Sequence, residues 1–344
     1  MSVLGVLVPC RNEGATIARK LRNLAACSWP ASARAHRLVV VDDGSNDATL
    51  HRAESERGRF DASRVEFVAM ANDVRPGKSG AIERGLRELA DCDVVVLTDA
   101  DVVFSADALL EIERAFDADA TLAMATGSQR FVESLAADGT LRADDGGALI
   151  GADLLYDKLG ALVRAFESRR GLVFSVHGQL LAWRRELALA PTPGLAADDL
   201  DLMRQVRTRG RTVRKLAAAR FFEVRAPRGV ERDQQALRRA RAYVQFRADP
   251  RSAELRRVGS FAARLQARMY LDGLVNGALW TSLAVGALGS AACFVDLLRI
   301  AGVAALFLGL VCARFAWSLR RRLARAHALE ERAPMLDRWE PSRR

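Results

Sequence analysis

The sequence predicts an α/β protein: a doubly wound, mostly parallel sheet at the N-terminal end, followed by amphipathic helices and then membrane-spanning ones. Three observations carry that expectation. Short Val-rich runs alternate with helix-like segments through the first third of the chain, the pattern of βα units whose strands are buried on both faces. Several of those runs stop at clusters of polar and acidic residues. Near the other end, 23 residues from Gly273 to Val295 carry no charge.

Taken in order, Val3–Val8, Leu38–Val41, Val65–Ala69 and Val94–Thr98 read as strands. The first, second and fourth end in CRNE, DDGSND and DAD. Ligands of such sheets sit beyond the carboxyl ends of the strands, so three polar clusters at one rim make a site. From Gly127 to Ala226 the patterning is less regular, and Asp138–Gly147 reads as a surface loop. SVHGQLLAWRRE and LAADDLDLMRQVRTRG then resume strand-like and helical patterns. Glu231–Ala248 and Ser252–Leu271 read as amphipathic helices, with arginines flanking Leu237, Val244, Phe261 and Leu265, suited to a membrane surface. Gly273–Val295 is long enough for a helix of about 34 Å against a hydrocarbon core of about 30 Å. Ile300–Ala313 reads as a second span. Arg320, Arg321, Arg322 and Arg325 follow it, as the positive-inside rule requires if both ends of a helical hairpin are cytoplasmic. The expected organisation is an α/β domain over 1–226, interfacial helices over 227–271, a transmembrane hairpin over 272–319 and a basic cytoplasmic tail over 320–344.

A chain of 344 residues, half of them apolar, buries a sizeable core and is no minimal binding module. Its five cysteines, Cys10, Cys27, Cys92, Cys293 and Cys312, form no CxxC pair. That argues against a disulfide framework or a zinc site. The N-terminus lacks the basic region followed by an apolar stretch and a small-residue cleavage site that a secretory signal needs, so the first domain is expected at the cytoplasmic face of the cell membrane. The net charge of +10 is unevenly placed, with nineteen Lys or Arg against six Asp or Glu between Met203 and Asp272. That stretch suits a diphosphate or anionic lipid headgroups. Nucleic acid is not expected: only Tyr243, Phe246, Phe261 and Tyr270 interleave with the arginines, and no nucleic-acid-binding motif appears. A nicotinamide-dependent dehydrogenase is disfavoured too, because no GxGxxG follows the first strand.

Three motifs place chemistry at the rim. In VLVPCRNE, Pro9 is expected to end the strand and Glu13 to accept hydrogen bonds from a ribose or base. In VVVDDGSNDAT a buried strand stops at two carboxylates and a Gly turn, with Asp47 placed to cap the next helix; Asp42 or Asp43 is expected to contact the nucleotide base. In VVVLTDADV an apolar strand ends at Asp99, Ala100 and Asp101. Two neighbouring carboxylates are costly to bury unless a cation or donors compensate, and alternate residues of an extended segment project the same way. Hard oxygens joined by diphosphate oxygens suit Mg²⁺ or Mn²⁺.

The order of these motifs, over roughly residues 3 to 245, resembles glycosyltransferase family 2, the inverting enzymes of the GT-A fold. The resemblance implies a GT-A catalytic domain over 1–226, with Pro9, Glu13, Asp42 and Asp43 on the donor side. It carries Lys78 of RPGKSGAIERGL to the donor, although Glu83 stands where the family has asparagine. Asp101 becomes the metal ligand, with Asp99 nearer the ribose and metal. VHGQLLAWRRE matches the segment that lines the acceptor side, giving His177, Gly178 and Gln179. LAADDLDL stands where many members have a Glu-Asp pair, giving Asp198 and Asp199. A hydroxyl acceptor needs a base opposite the leaving group, and that role falls to Asp199; Asp201 reads as a helix surface residue. ERDQQALRRARAY partly resembles the Gln-x-x-Arg-Trp element: Gln235 and Arg238 fit, while Arg239 replaces tryptophan. It also resembles an Arg-rich variant in which Arg238, Arg239 and Arg241 grip the diphosphate.

The expected function is metal-dependent, inverting transfer of a sugar from a nucleoside-diphosphate sugar, uridine-linked, to a lipid-linked or membrane-surface hydroxyl. That places the chain in cell-envelope polysaccharide or glycolipid synthesis. Two alternatives stand beside it. A processive polysaccharide synthase would need partner membrane subunits, because two spans give little wall for a channel. A membrane-tethered nucleotide-binding scaffold would bind the nucleotide without turnover.

Overall fold

Val-rich segments buried on both faces set the architecture. The computed structural model describes residues 1–61, 64–140, 163–224, 229–273, 317 and 320–331. Two compact units contain them, within Met1–Pro227 and within Arg228–Met335, and each is described by itself.

In the first unit the elements run β1 (Leu4–Cys10), α1 (Ile17–Ala26), β2 (His36–Asp42), α2 (Thr49–Ser55), β3 (Val65–Ala71) and α3 (Lys78–Glu88). They continue as β4 (Val94–Leu97), β5 (Val103–Phe104), α4 (Ala108–Ala118), β6 (Leu122–Val132), β7 (Leu181–Arg184), α5 (Asp198–Thr208) and β8 (Thr212–Val224). Eight strands among the described residues form one sheet in the order β3-β2-β1-β4-β7-β6-β8-β5. The first four are parallel, as the alternation of apolar runs and helices predicts. Beyond them, β7 runs antiparallel to β4 and β6, β8 parallel to β6, and β5 antiparallel to β8.

Every residue of β1 is buried, and its two faces serve different helices. Leu4, Val6, Val8 and Cys10 share one core with Ile17, Leu21 and Leu24 of α1 and with Leu109, Ile112 and Phe116 of α4. On the other face Leu7 lies so close to α3 that a Cβ at Gly85 would stand 2.1 Å from its Cδ1. Helices therefore cover both faces, which is why these strands read as continuous apolar runs rather than alternating ones.

One expectation about β1 is corrected. Pro9 does not end the strand but sits within it, in register with Val41. Pairing of β1 with β4 has already ended at Leu7 and Leu97. Pro9 shares the side of Leu7, whose carbonyl accepts from Thr98 N at 3.0 Å, so its missing N–H costs no ladder bond.

In the second unit α6 (Val230–Ala248) is followed by a 3₁₀ turn at Pro250–Arg256, α7 (Phe261–Arg268) and a π-turn at Met269–Gly273. The expected continuous helix over 252–271 is thus broken. Gly259 sits at φ 86°, and the Ser260 side chain accepts from Ala263 N at 3.2 Å, capping a fresh helix. Residues 320–331 are helical, with Leu323 and Ala326 buried against Val244, Leu237, Ala240 and Tyr243 of α6. The predicted spans lie outside the described residues, as does most of the 138–147 loop. Among the described residues no helix is long and apolar enough to cross a membrane.

Candidate active site

The carboxyl ends of β1, β2 and β4 meet at one rim. Cys10 is level with Asp42, and Asp43 N donates to Cys10 O at 2.9 Å. The two loops that follow are locked together. Asn12, at φ 56°, donates its N–H to Ser45 Oγ at 2.8 Å and accepts from Asn46 N at 3.0 Å. Gly14 N donates to Asp47 Oδ2 at 3.0 Å, and Glu13 N to Thr49 Oγ1 at 2.8 Å. Asp47 also accepts from Thr49 N at 3.0 Å, so it bridges the loop to the start of α2.

The predicted donor-side acids brace this rim. Asp42 accepts from the backbone and hydroxyl of Ser45. Asp43 accepts from Asn72 Nδ2 at 2.6 Å and from Gly77 N at 2.8 Å, with Arg11 at 3.7 Å. Glu13 is buried and accepts from Thr16 Oγ1 at 2.5 Å. Carboxylate oxygens keep a second lone pair each, so bracing the loops leaves these acids able to receive a ligand.

Asp43 also fixes where Lys78 points. Through Gly77, whose φ of 110° only glycine adopts easily, it pins the start of α3. Lys78 is the first residue of that helix. Its Nζ lies 2.8 Å from Asp99 Oδ1 and 3.4 Å from Asp198 Oδ2. Asp198 and Asp199 open α5, where the helix dipole favours negative charge. Gly178 closes the group: a Cβ there would stand 3.5 Å from Asp199 Cβ and 3.9 Å from Lys78 Nζ. Lys78, Asp99, Gly178, Asp198 and Asp199 are thus brought together from four separate segments.

This crowding shifts both charges. Although burial works against its ammonium, Asp198 and Asp99 hold Lys78 well above the ordinary lysine value. Burial and the charge of Asp198 push the Asp199 carboxyl up to about 6, against the pull of the Leu200 N–H and Lys78. A carboxylate so poised is a stronger base than an ordinary aspartate at neutral pH.

The other predicted residues fall around this centre. Burial lowers the Arg19 guanidinium while Asp101 and Glu13 oppose it, which places Asp101 on the α1 side of the rim. The His177 ring packs edge-on against Phe221 at 5.7 Å, and the His177 backbone N–H donates to Thr126 Oγ1 at 2.9 Å. The backbone carbonyl of Gln179 accepts from Thr98 Oγ1 at 2.8 Å. Asp201 is corrected: it is not a surface residue but fully buried, paired with Arg204 and accepting from Thr192 N at 2.8 Å. Glu83 pairs with Arg75 and Arg87. Arg238, Arg239 and Arg241 belong to α6 of the second unit, where Arg241 lies 3.3 Å from Glu330.

Residues 2–242 match the family model described as glycosyltransferase like family 2. The chain belongs to that family. This family 2 glycosyltransferase is 28% identical over 109 residues to the beta-monoglucosyldiacylglycerol synthases of Trichormus variabilis and a Nostoc species. The match takes in 32% of this chain and 22% of each relative, so it spans about a fifth of their length. In three dimensions the glycosyltransferase is similar to a mannosyltransferase from Pyrobaculum calidifontis solved with GDP-Man and Mn²⁺. There the TM-score is 0.66 at 23% identity, over 96% of this chain and 87% of that one. The shared fold is the GT-A α/β fold that the motif order implies.

Sequence reasoning missed two residues of α1, Arg19 and Lys20. Lys20 is completely buried, with Nζ donating to Thr98 Oγ1 at 2.7 Å. The signal was available: Lys20 falls on the stripe of Ile17, Leu21 and Leu24, where a helix facing a core carries apolar residues.

Among the described residues no group of three or more His, Cys, Asp or Glu gathers in metal-binding geometry. Asp99 and Asp101 offer two hard carboxylates at the end of β4 and no soft ligand. That set fits a hard divalent ion that takes its remaining ligands from diphosphate and water.

Proposed function

We propose that this glycosyltransferase moves a sugar from a uridine-diphosphate sugar, with inversion, to a hydroxyl of a lipid-linked or membrane-surface acceptor at the cytoplasmic face of the cell membrane. The observation that carries the reading is the cluster in which Lys78 joins Asp99 on the donor side to Asp198 and Asp199 at the head of α5. A donor carboxylate and a raised, partly buried carboxyl lie within one charge network. That is what an in-line displacement requires, with a base on the face opposite the departing diphosphate.

The nucleoside sits over the interlocked loops that follow β1 and β2, received by Pro9, Glu13 and Asp42 or Asp43. Asp99 and Asp101 would hold Mg²⁺ or Mn²⁺, which when bound neutralises charge on the diphosphate. Lys78 orients Asp99 and supplies positive charge next to the phosphates. The acceptor approaches along His177–Gln179, where the missing side chain of Gly178 leaves Asp199 open. Asp199 takes the acceptor proton as the hydroxyl attacks the anomeric carbon, and Asp198 keeps its basicity up by like-charge repulsion.

Two observations support the membrane and lipid parts of the reading. The glycolipid synthase relatives act on lipids by name. On α7 and its π-turn, Phe261, Leu265 and Met269 are 74%, 48% and 54% exposed while Ala263, Ala267 and Leu271 face inward. Such a helix turns its large apolar residues outward, as interfacial helices do.

The test is hydrolysis or transfer of UDP-sugars by the full chain with Mn²⁺. Turnover is expected to need the metal. Asp101→Ala and Asp199→Asn should each lower it by about a hundredfold or more, with the Asn variant still binding UDP and Mn²⁺. Unchanged turnover in both variants would falsify the assignment.

A further inference from the structure

One face of α1 grips the segment between β4 and β5 at both ends. Asn23 Nδ2 donates to Phe104 O at 3.0 Å, while Phe104 N donates back to Asn23 Oδ1 at 2.7 Å. Three residues earlier on the same face, Lys20 donates to Thr98 Oγ1 at 2.7 Å, and its Nζ lies 3.8 Å above the Phe104 ring. The acidic turn of Asp99, Ala100 and Asp101 is strung between these two anchors. Thr98 passes the contact on, donating its own hydroxyl proton to Gln179 O at 2.8 Å. Gln179 follows Gly178, which abuts Asp199 and Lys78.

We propose that Lys20 is a positioning residue: through Thr98 it sets the acidic turn of the donor side in register with the loop that borders the base. A methionine of similar length would fill the same space without burying an amine, so packing alone gives the nitrogen no task. Its task is to donate the hydrogen bond that orients the Thr98 hydroxyl towards Gln179 rather than away from it. Burial pushes the Lys20 ammonium down to about 7, against Cys27, Asp99 and Asp101, and either protonation state keeps an N–H for Thr98. Removing it frees the Thr98 hydroxyl and loosens the two loops just past the Leu97–Leu181 end of the β4–β7 ladder.

The experiment compares the full-length wild type with Lys20→Met, Thr98→Val and Thr98→Ser by amide hydrogen exchange and by kinetics of UDP-glucose hydrolysis with Mn²⁺. Lys20→Met and Thr98→Val should each speed exchange about tenfold in residues 98–104 and 177–181 while leaving β2 unchanged. Thr98→Ser, which keeps the hydroxyl, should behave as wild type. Turnover should fall about tenfold in the first two variants with KM within about twofold, because the base is misaligned while the donor still binds. The double variant should cost no more than either single one, since both break one chain of contacts. Faster exchange in only one of the two loops, faster exchange spread across the sheet, or additive effects would overturn the proposal. If Lys20→Met does not fold, Thr98→Val against Thr98→Ser decides alone. The kinetic arm rests on the donor reading above and the exchange arm does not, so a wild type inert towards UDP-glucose counts against that reading only.

Discussion

Asp199 carries opposite consequences for stability and for catalysis. Its carboxyl is raised to about 6 by burial and by Asp198, above the value of about 4 for a free aspartate. The folded chain therefore holds this proton more tightly than the unfolded chain does. The stabilisation that results is complete below about pH 4 and is lost as pH rises through about 6. At neutral pH the ionised group crowds Asp198 and Asp99, which is the form a base requires. The acid limb of kcat/KM should therefore lie near pH 6 rather than near 4. Asp199→Asn should melt roughly 2–4 °C higher than wild type at pH 8, with the gap closing by pH 4. A limb near 4, or an Asn variant that melts lower at pH 8, would sink this account. The neighbouring acids show how far a motif reaches. DDLD offers three aspartates within four positions, and only packing separates them: Asp201 is turned inward onto Arg204, whereas Asp198 and Asp199 face Lys78.

At the scale of elements, α3 is the piece whose placement decides the site, and it is set by glycines. A Cβ at Gly80 would stand 1.9 Å from the Arg75 carbonyl oxygen, a backbone atom that cannot swing aside. The loop over residues 72–77, held by Asp43, thus lies directly against the first turn that carries Lys78. Gly80→Ala should push that loop and Lys78 apart. The expected loss is roughly 1–3 kcal/mol of stability, together with weaker UDP binding in the presence of Mn²⁺. A chemical denaturation midpoint and UDP affinity equal to wild type would show that α3 can shift without cost. The βα units themselves were legible because strand burial and helix periodicity are local properties. Pro9 was misread for the opposite reason: whether a proline breaks a strand depends on where the neighbouring strand stops, and β4 is remote in sequence.

For the molecule as a whole, membrane association is expected to rest on the second unit, which carries arginines along α6 and α7 and turns the apolar stripe of α7 outward. Arg257 and Arg268 are exposed near that stripe, and arginine beside large apolar side chains suits anionic headgroups. A polarity-sensitive dye on Leu265→Cys of the full chain should shift its emission to the blue with phosphatidylglycerol vesicles and far less with phosphatidylcholine. The shift should weaken as salt is raised from 0.05 to about 0.5 M, because headgroup attraction is screened. Water-like emission with both lipids would rule the stripe out as the docking face.

What the chain alone determined is the half of the protein whose signals are short-range. The parallel strands announce themselves as doubly buried apolar runs, the rim as acids that interrupt them, and the family as the order of those interruptions. Tertiary structure decided which acids meet. Lys78, Asp99, Gly178 and Asp198–Asp199 come from segments scattered along the sequence, and their convergence depends on strand order and on glycine contacts that no local pattern encodes. Lys20 stands out in the sequence as a lysine on an apolar stripe, but only the fold places against it the threonine hydroxyl that gives it a task.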